Sequence, residues 1–380
     1  MVLQSRMVPR RILLLTTTAS WGGAEALVRS QARRFSAGGW EVAVGALSEG
    51  DGTLFRELKG EPAVQSFALG LTKTGWYRIA ELQLKLGELR PDIIIAHLFH
   101  PSVAARFFGR LFRGIPVISV FHSTRQERWR TAIDRLTLPL TAKYVVVSED
   151  GAKFAKEALR VDDCRLVVIP NGVDAKFFQS PARSREQVRH ELGMNGQATV
   201  VGCVARFHPQ KDHRTLVQAF KRARMANARQ ELKLLLVGTG AEMTAIRQLV
   251  EKLGLREHVT FTGFRRDLPE LYAAMDVYAQ TSRHEGLPTS ILEAMSAGLP
   301  IAATGAPGIT SVLRDGENAL LAPVGEVKAV ADRITRLVQE PELAGRLSAT
   351  AKRQAETEYS LETCMDAYYN LALSVLGLDQ

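Results

Sequence analysis

Ser282-Arg283-His284-Glu285-Gly286-Leu287-Pro288-Thr289-Ser290-Ile291-Leu292-Glu293-Ala294-Met295-Ser296-Ala297-Gly298-Leu299-Pro300 sets two carboxylates, Glu285 and Glu293, around a turn that opens a short helix. Glu285 to Pro288 reads as loop, Pro288 or Thr289 starts a helix well, and Ile291, Leu292, Ala294 and Met295 make an apolar helical face that stops at Gly298. The first-turn N–H groups of Thr289, Ser290 and Ile291 lack intrahelical acceptors and carry the positive end of the helix dipole, a ready place for a phosphate. Glu285 lies just ahead of that anion site. Glu293, one turn in, is too close to a bound phosphate to be its ligand, and a carboxylate beside a diphosphate is better suited to accept hydroxyls. Hydroxyls flanking a diphosphate describe a nucleotide-sugar. A capped surface helix with a dipole-favoured glutamate reads the same way, so this stretch alone leaves both open.

Around it the chain alternates short apolar runs with longer helical segments, the pattern of a doubly wound α/β architecture. One series of strands is expected at 11–15, 41–46, 92–96, 116–121 and 144–147, and a second at 199–204, 232–237, 258–262, 277–280, 300–304 and 319–321. Two series imply two sheets, and 380 residues exceed one ordinary core and fit two domains. Ile169-Pro170-Asn171-Gly172-Val173-Asp174 and the polar stretch 179–186, where strand periodicity lapses, read as the linker. Past Glu340 the chain is helical, and 361–378 sets aromatics and leucines at helical spacing.

The composition, 46% hydrophobic and 23% charged, is that of a globular protein. Cys164, Cys203 and Cys364 are far apart and in no CxxC pattern, which points to neither a disulfide framework nor a zinc site and suits a reducing cytoplasm. Ile12 to Leu15 gives way to three threonines, too short for the core of a signal peptide, and no segment approaches the roughly 18 to 20 apolar residues of a membrane span. The expectation is a soluble or peripherally bound protein. Its formal charge of +9 is uneven: between Pro101 and Lys143, eight basic residues face two acidic ones, which attracts acidic lipid head groups or nucleic acid. Within it Arg106, Arg110 and Arg113 fall at i, i+4 and i+7 of a helix whose other faces carry Phe107, Phe108, Leu111 and Phe112, compatible with lying on an anionic membrane or with a core helix whose arginines are solvated.

Several further groups sit where open α/β sheets bind ligands, at the carboxyl ends of strands. Arg206 and Lys211 follow the strand 199–204, and two cations there would neutralise a diphosphate without a metal and stabilise a departing nucleotide. Gly22-Gly23-Ala24-Glu25 follows the first strand; its glycines permit close backbone approach to a ligand, or simply a tight strand-to-helix turn. His97 and His100 close the strand 92–96, and His122 follows 116–121; a histidine so placed can bond a sugar hydroxyl or trade protons near neutral pH. No third ligand cluster accompanies the histidines, so a metal is not expected. Gly238-Thr239-Gly240 is as well explained by a turn.

Glu285 and Glu293, followed by Ala-Met-x-x-Gly-x-Pro, resemble the E-x7-E signature of the retaining glycosyltransferases of family 4, which have the two-domain GT-B fold. The resemblance runs from Gly22 to about Ala322 and implies two Rossmann-like domains facing across a cleft: 1–175 for the acceptor, joined by the helix 361–380 packing back on it, and 176–360 for the nucleotide-sugar. It implies that Arg206 and Lys211 hold the diphosphate, that Glu293 takes the ribose and Glu285 the sugar hydroxyls, and that the loop Gly286, Leu287, Pro288 and Thr289 binds donor. It further implies that Gly22 and Gly23 face the donor phosphate, that the segment containing Phe264 pairs its backbone with the base, and that His97 contacts the donor sugar near its reacting carbon; His122, a cleft candidate or simply a loop histidine, is placed on the acceptor side. Ser311 departs from the pattern, standing where relatives often have Glu.

The expected activity is retaining transfer of a hexose or N-acetylhexosamine from a nucleotide-diphosphate sugar, UDP in preference to GDP, to a glycan or lipid-linked acceptor in cell-surface polysaccharide or lipopolysaccharide assembly. No cofactor and no metal are expected, attack is expected on the front face, and the place is the cytoplasm or the inner face of the membrane. A sugar-nucleotide epimerase or a phosphorylase of the same fold is the first alternative. A nucleic-acid-binding protein would explain the basic patch, but no recognition helix or aromatic-interleaved RNA motif accompanies it, and no nucleic-acid partner is expected.

Overall fold

The computed structural model describes residues 10–20, 22–70, 81–194 and 196–378. The chain divides into two compact units, Met1–Pro170 with Cys364–Gln380, and Asn171–Thr363. In the first, the strands are β1 (Arg11–Thr18), β2 (Glu41–Ser48), β3 (Val64–Ala68), β4 (Ile93–His97), β5 (Val117–Phe121), β6 (Lys143–Val146) and β7 (Leu166–Val168), in the parallel order 3-2-1-4-5-6-7. The second holds β8 (Thr199–Val204), β9 (Leu232–Val237), β10 (Val259–Gly263), β11 (Val277–Gln280), β12 (Ile301–Thr304) and β13 (Leu320–Ala322), in the parallel order 10-9-8-11-12-13. This is the expected α/β architecture of two Rossmann-like sheets. Each reverses its strand order once, between β1 and β4 and between β8 and β11, and such switch points open a crevice at the strands' carboxyl ends.

A parallel sheet covered on both faces has strands that read as unbroken apolar runs, and Leu13, Leu14 and Leu15 of β1 are completely buried, as are Ile93, Ile94 and Ile95 of β4. That is why the central strands are legible in the sequence. The two strands it did not reveal, β3 and β7, are at sheet edges: Gln65 and Ser66 of β3 are exposed, and β7 is three residues long and only half-buried.

Two other expectations, the linker at 179–186 and the arginine face at 104–113, are corrected. The polar stretch 179–186 is no linker: Ser184 and Gln187 form a capping box on the helix Arg185–Glu191, Arg183 pairs with Glu191 and Asp267, and the buried Arg189 meets Asp276 at 2.6 Å. The last helix, Leu361–Val375, contributes from Cys364 onward to the first unit, where Arg34 meets Asp366 at 2.7 Å and Tyr369 packs 5.4 Å from Phe35. The arginine face at 104–113 does not exist. The helix Phe99–Ala104 runs on as a π-helical stretch, Ala105–Leu111, whose wider turn breaks the i, i+4, i+7 register. Arg106 points inward with no exposed surface, 2.6 Å from Asp134, while Phe107, Leu111 and Phe112 are 43%, 55% and 58% exposed beside Arg110.

The three cysteines are free. Among the described residues, no helix is long and apolar enough to cross a membrane.

Candidate active site

In the second unit the quoted stretch runs from the end of β11 into the helix Thr289–Ser296. No side chain caps this helix. Ile291 N–H donates to the carbonyl of Pro288 at 3.1 Å, so the N–H groups left without a backbone acceptor among the described residues are those of Thr289 and Ser290. The loop before it is held from several sides. Glu285 N–H donates to the Pro307 carbonyl at 2.8 Å, and the Leu287 carbonyl accepts from the side-chain amide of Asn171 at 2.8 Å. Thr304, at the end of β12, donates to the Ser282 carbonyl at 2.6 Å.

Glu285 is buried, and its carboxylate collects donors. Lys211 Nζ lies 2.5 Å from Oε1, Gln280 donates to the same oxygen at 3.1 Å, and Gln210 donates to Oε2 at 3.2 Å. Gln280 is oriented in turn by accepting from Tyr278 at 2.8 Å and Ser290 at 3.0 Å. A buried charge requires such pairing and hydrogen bonding. Sequence reading found Lys211 and Glu285 but neither glutamine; the available signal was Gln280, a polar residue ending the otherwise apolar β11. Arg206, just past β8, is exposed and makes no hydrogen bond or ion pair among the described residues. Thus one of the two expected diphosphate cations is already neutralised by Glu285 and the other is free.

Glu293 accepts from Tyr272 OH at 2.8 Å, and burial, only partly offset by the Tyr272 and Thr289 hydroxyls, raises its carboxyl above the ordinary range. Phe264, past the end of β10, is half-exposed, and the Gly263 carbonyl before it accepts from Gly238 N–H at 2.9 Å. Gly308 has φ +82°, and a Cβ there would stand 2.4 Å from the Glu285 carbonyl oxygen and 2.6 Å from that of Gly286. Gly308→Ala is therefore expected to cost roughly 1–3 kcal/mol of stability and to displace Glu285. Thermal melts run beside turnover assays check this, the activity loss exceeding what the melt explains. Ser311, near this loop, accepts at its carbonyl from Tyr359 OH at 3.5 Å.

In the first unit, Gly22 precedes the helix Gly23–Ala37 in extended backbone, and the carboxylate of the buried Glu25 folds back so that a Cβ on Gly22 would lie 2.8 Å from it. Thr16, on β1, donates to Glu25 at 3.0 Å. His97 is sealed, with Nδ1 3.0 Å from His122 Nε2 and Nε2 2.8 Å from Gln31 Oε1. Its expected contact with a donor sugar is closed in this structure because both ring nitrogens are engaged; His122, at the end of β5, is the ring that reaches the surface. Burial, then His122, holds His97 well below the usual histidine range, and burial lowers His122 to about 4, so both rings are neutral at pH 7. Leu98 follows with φ +71° and ψ 173°, strained for a residue other than glycine, and its N–H donates to the Val120 carbonyl at 3.0 Å. Among the described residues no group of three or more His, Cys, Asp or Glu is placed to hold a metal ion.

Residues 21–177 match the profile of Glycosyltransferase Family 4, and residues 184–354 that of Glycosyl transferases group 1. Putative glycosyltransferase EpsD of Bacillus subtilis is 32% identical over 275 residues, 70% of this chain and 72% of EpsD. Lipopolysaccharide core biosynthesis glycosyltransferase LpsE of Rhizobium meliloti is 32% identical over 186 residues, 49% of this chain; the match spans 53% of LpsE, about half that relative's length. Among solved structures, Anabaena HepE in complex with UDP and glucose superposes with a TM-score of 0.85 at 22% identity, covering 96% of this chain and all of HepE, which establishes likeness of fold.

Proposed function

The chain belongs to the family 4 glycosyltransferases, and we propose that it is a retaining hexosyltransferase or N-acetylhexosaminyltransferase using a nucleotide-diphosphate sugar. The observation that carries this reading is the cluster at the carboxyl ends of β8 and β11, where the free Arg206, the Lys211–Glu285 pair and the open N–H groups of Thr289 and Ser290 lie on neighbouring elements, with Glu293 one turn farther on. Arg206 and the helix N-terminus would take the diphosphate, and Lys211 would share its charge between phosphate and Glu285. Glu293 would accept a ribose hydroxyl, and a sugar hydroxyl would replace one of the amide donors on Glu285. On the first unit, His122 is assigned to the sugar side of the reaction, with the sealed His97 behind it.

In the proposed front-face step, the acceptor oxygen bonds the anomeric carbon as the carbon–oxygen bond to phosphate breaks. The acceptor's proton passes to the leaving phosphate oxygen. No metal is required if the two cations and the helix N-terminus meet the developing charge. Lipopolysaccharide or polysaccharide assembly is proposed as the setting, on the strength of LpsE, and UDP in preference to GDP on the strength of HepE.

Calorimetric titration with UDP and GDP tests the reading. Binding of one nucleotide is expected, weakened about tenfold in Glu293→Gln by loss of a charge-assisted hydrogen bond; binding of neither would sink it. The same variant should not melt lower at pH 7. A carboxyl whose native pKa is raised favours the folded state only when protonated, so the native state loses stability as pH rises from the ordinary value through the raised one, and the amide removes that loss.

We also propose that Phe107, Leu111 and Phe112 with Arg110 rest on an anionic membrane, since this exposed face combines aromatics with uncompensated charge. Flotation with phosphatidylglycerol vesicles should recover the protein, phosphatidylcholine vesicles should not, and Phe107→Ser with Phe112→Ser should weaken the interaction more than about tenfold. Equal recovery with both lipids would overturn the proposal.

A further inference from the structure

Gln31 lies on the buried side of the helix Gly23–Ala37, among Leu27, Val28 and Phe35, and has no exposed surface. A glutamine at a core position of an amphipathic helix requires a partner, and among the described residues its side chain makes one hydrogen bond, accepted by Oε1 from His97 Nε2 at 2.8 Å, while its own Nε2 has none. His97 continues to His122 at 3.0 Å, and the two rings lie 23° from parallel with centroids 5.3 Å apart. With so short an N···N contact, that separation describes rings joined edge to edge, a geometry suited to a hydrogen bond. The chain Gln31–His97–His122 thus runs from a helix across the carboxyl ends of β4 and β5. Tyr368 closes it on another side, 6.5 Å from His97 between ring centroids.

A neutral imidazole has one donor and one acceptor nitrogen. A carbonyl oxygen at His97 Nε2 requires the proton there, which leaves His97 Nδ1 as an acceptor. His122 must then donate from Nε2, and its Nδ1 remains unprotonated. That last atom has no partner among the described residues and is not enclosed, so it is the one nitrogen of the chain presented outward.

We infer that Gln31 is a positioning residue that sets the tautomers of both histidines and makes His122 Nδ1 a fixed acceptor for a sugar hydroxyl. The inference rests on the glycosyltransferase reading for its ligand, though not for its tautomers. A carboxamide does this without inducing charge, whereas a carboxylate in the same place would favour an imidazolium. The consequence is selectivity: a hydroxyl that donates is held, and a substrate with that hydroxyl methylated or replaced by hydrogen is not.

The test is long-range proton–nitrogen NMR of the ¹⁵N-histidine-labelled full chain, with single His→Gln variants to assign His97 and His122. In the wild type both rings are expected to be neutral and protonated at Nε2. Protonation of His97 at Nδ1 would overturn the proposal, because the amide would then be reversed and His122 would present a donor. Gln31→Leu is expected to release the tautomer preference of His97 and raise the KM for the acceptor sugar roughly tenfold with kcat little changed, while Gln31→Glu retains Nε2 protonation. An unchanged His97 spectrum in folded Gln31→Leu would also overturn it. Absence of glycosyl transfer in the wild type with the expected tautomers present would sink the functional reading and its hydroxyl ligand, and leave the tautomer assignment standing.

Discussion

Arg206→Ala is expected to lower kcat/KM for glycosyl transfer on the order of 10²- to 10³-fold, the effect of removing one preorganised group that would meet charge developing in the transition state. The size follows from the division of labour at the site. Lys211 is 2.5 Å from a buried carboxylate that offsets its charge, so Arg206 is the cation with its full charge to offer a diphosphate. Because Arg206 is exposed and unpaired among the described residues, the melting temperature should scarcely move. Arg206→Lys should recover activity only in part, since an ammonium cannot grip a phosphate bidentately. Initial rates with the donor identified by calorimetry measure all of this, and a loss below about fivefold would remove Arg206 from the proposed diphosphate site. Lys211→Met makes the instructive contrast: it leaves Glu285 buried without its cation and should lower stability and activity together.

Asp134→Ala should destabilise the N-terminal unit by about 3–5 kcal/mol, because it strands a guanidinium with no exposed surface. Arg106 donates from Nη1 to Asp134 at 2.6 Å and Thr137 at 3.0 Å and from Nε to Ser119 at 3.1 Å, its Nη2 having no partner among the described residues, and Gln126 holds the other oxygen of Asp134 at 2.7 Å. These contacts tie the helix Arg128–Thr137 and the π-helical stretch to β5, so the loss is cooperative. A fall in melting temperature on the order of 10 °C is expected by calorimetric scanning. Arg106→Met combined with Asp134→Leu should recover part of it, since no charge is then left buried without its counter-charge, although Ser119 and Gln126 lose a partner. If Asp134→Ala melts within a degree or two of wild type, the pair carries no structural weight.

The two-sheet architecture was legible because central parallel strands are buried on both faces and must be apolar in their middles, as Leu13–Leu15, Ile93–Ile95, Val200–Val201 and Leu234–Leu236 are. Arg206, Lys211, Glu285 and Glu293 were legible because local signals, a strand end or a helix start, placed each of them. What escaped had no local signature. Edge strands need less apolar burial: β3 carries the exposed Gln65 and Ser66, and β7, Leu-Val-Val, is too short to show a period. The polar stretch 179–186 looks like a linker because its arginines satisfy carboxylates distant in sequence, Asp267 and Asp276.

Arg106 gives the sharpest division. Helical periodicity alone put it beside Arg110 and Arg113 on a charged surface; the π-helical turn and an aspartate 28 residues later put it in the core. Likewise the sequence alone determined that His97 ends a strand, but only the tertiary structure decided that Gln31 and His122 engage its two nitrogens. Periodicity and strand ends are properties of neighbouring residues. Partnership of buried polar groups is decided by segments brought together from across the chain, and the energy of leaving such a group unpaired acts only once they have met.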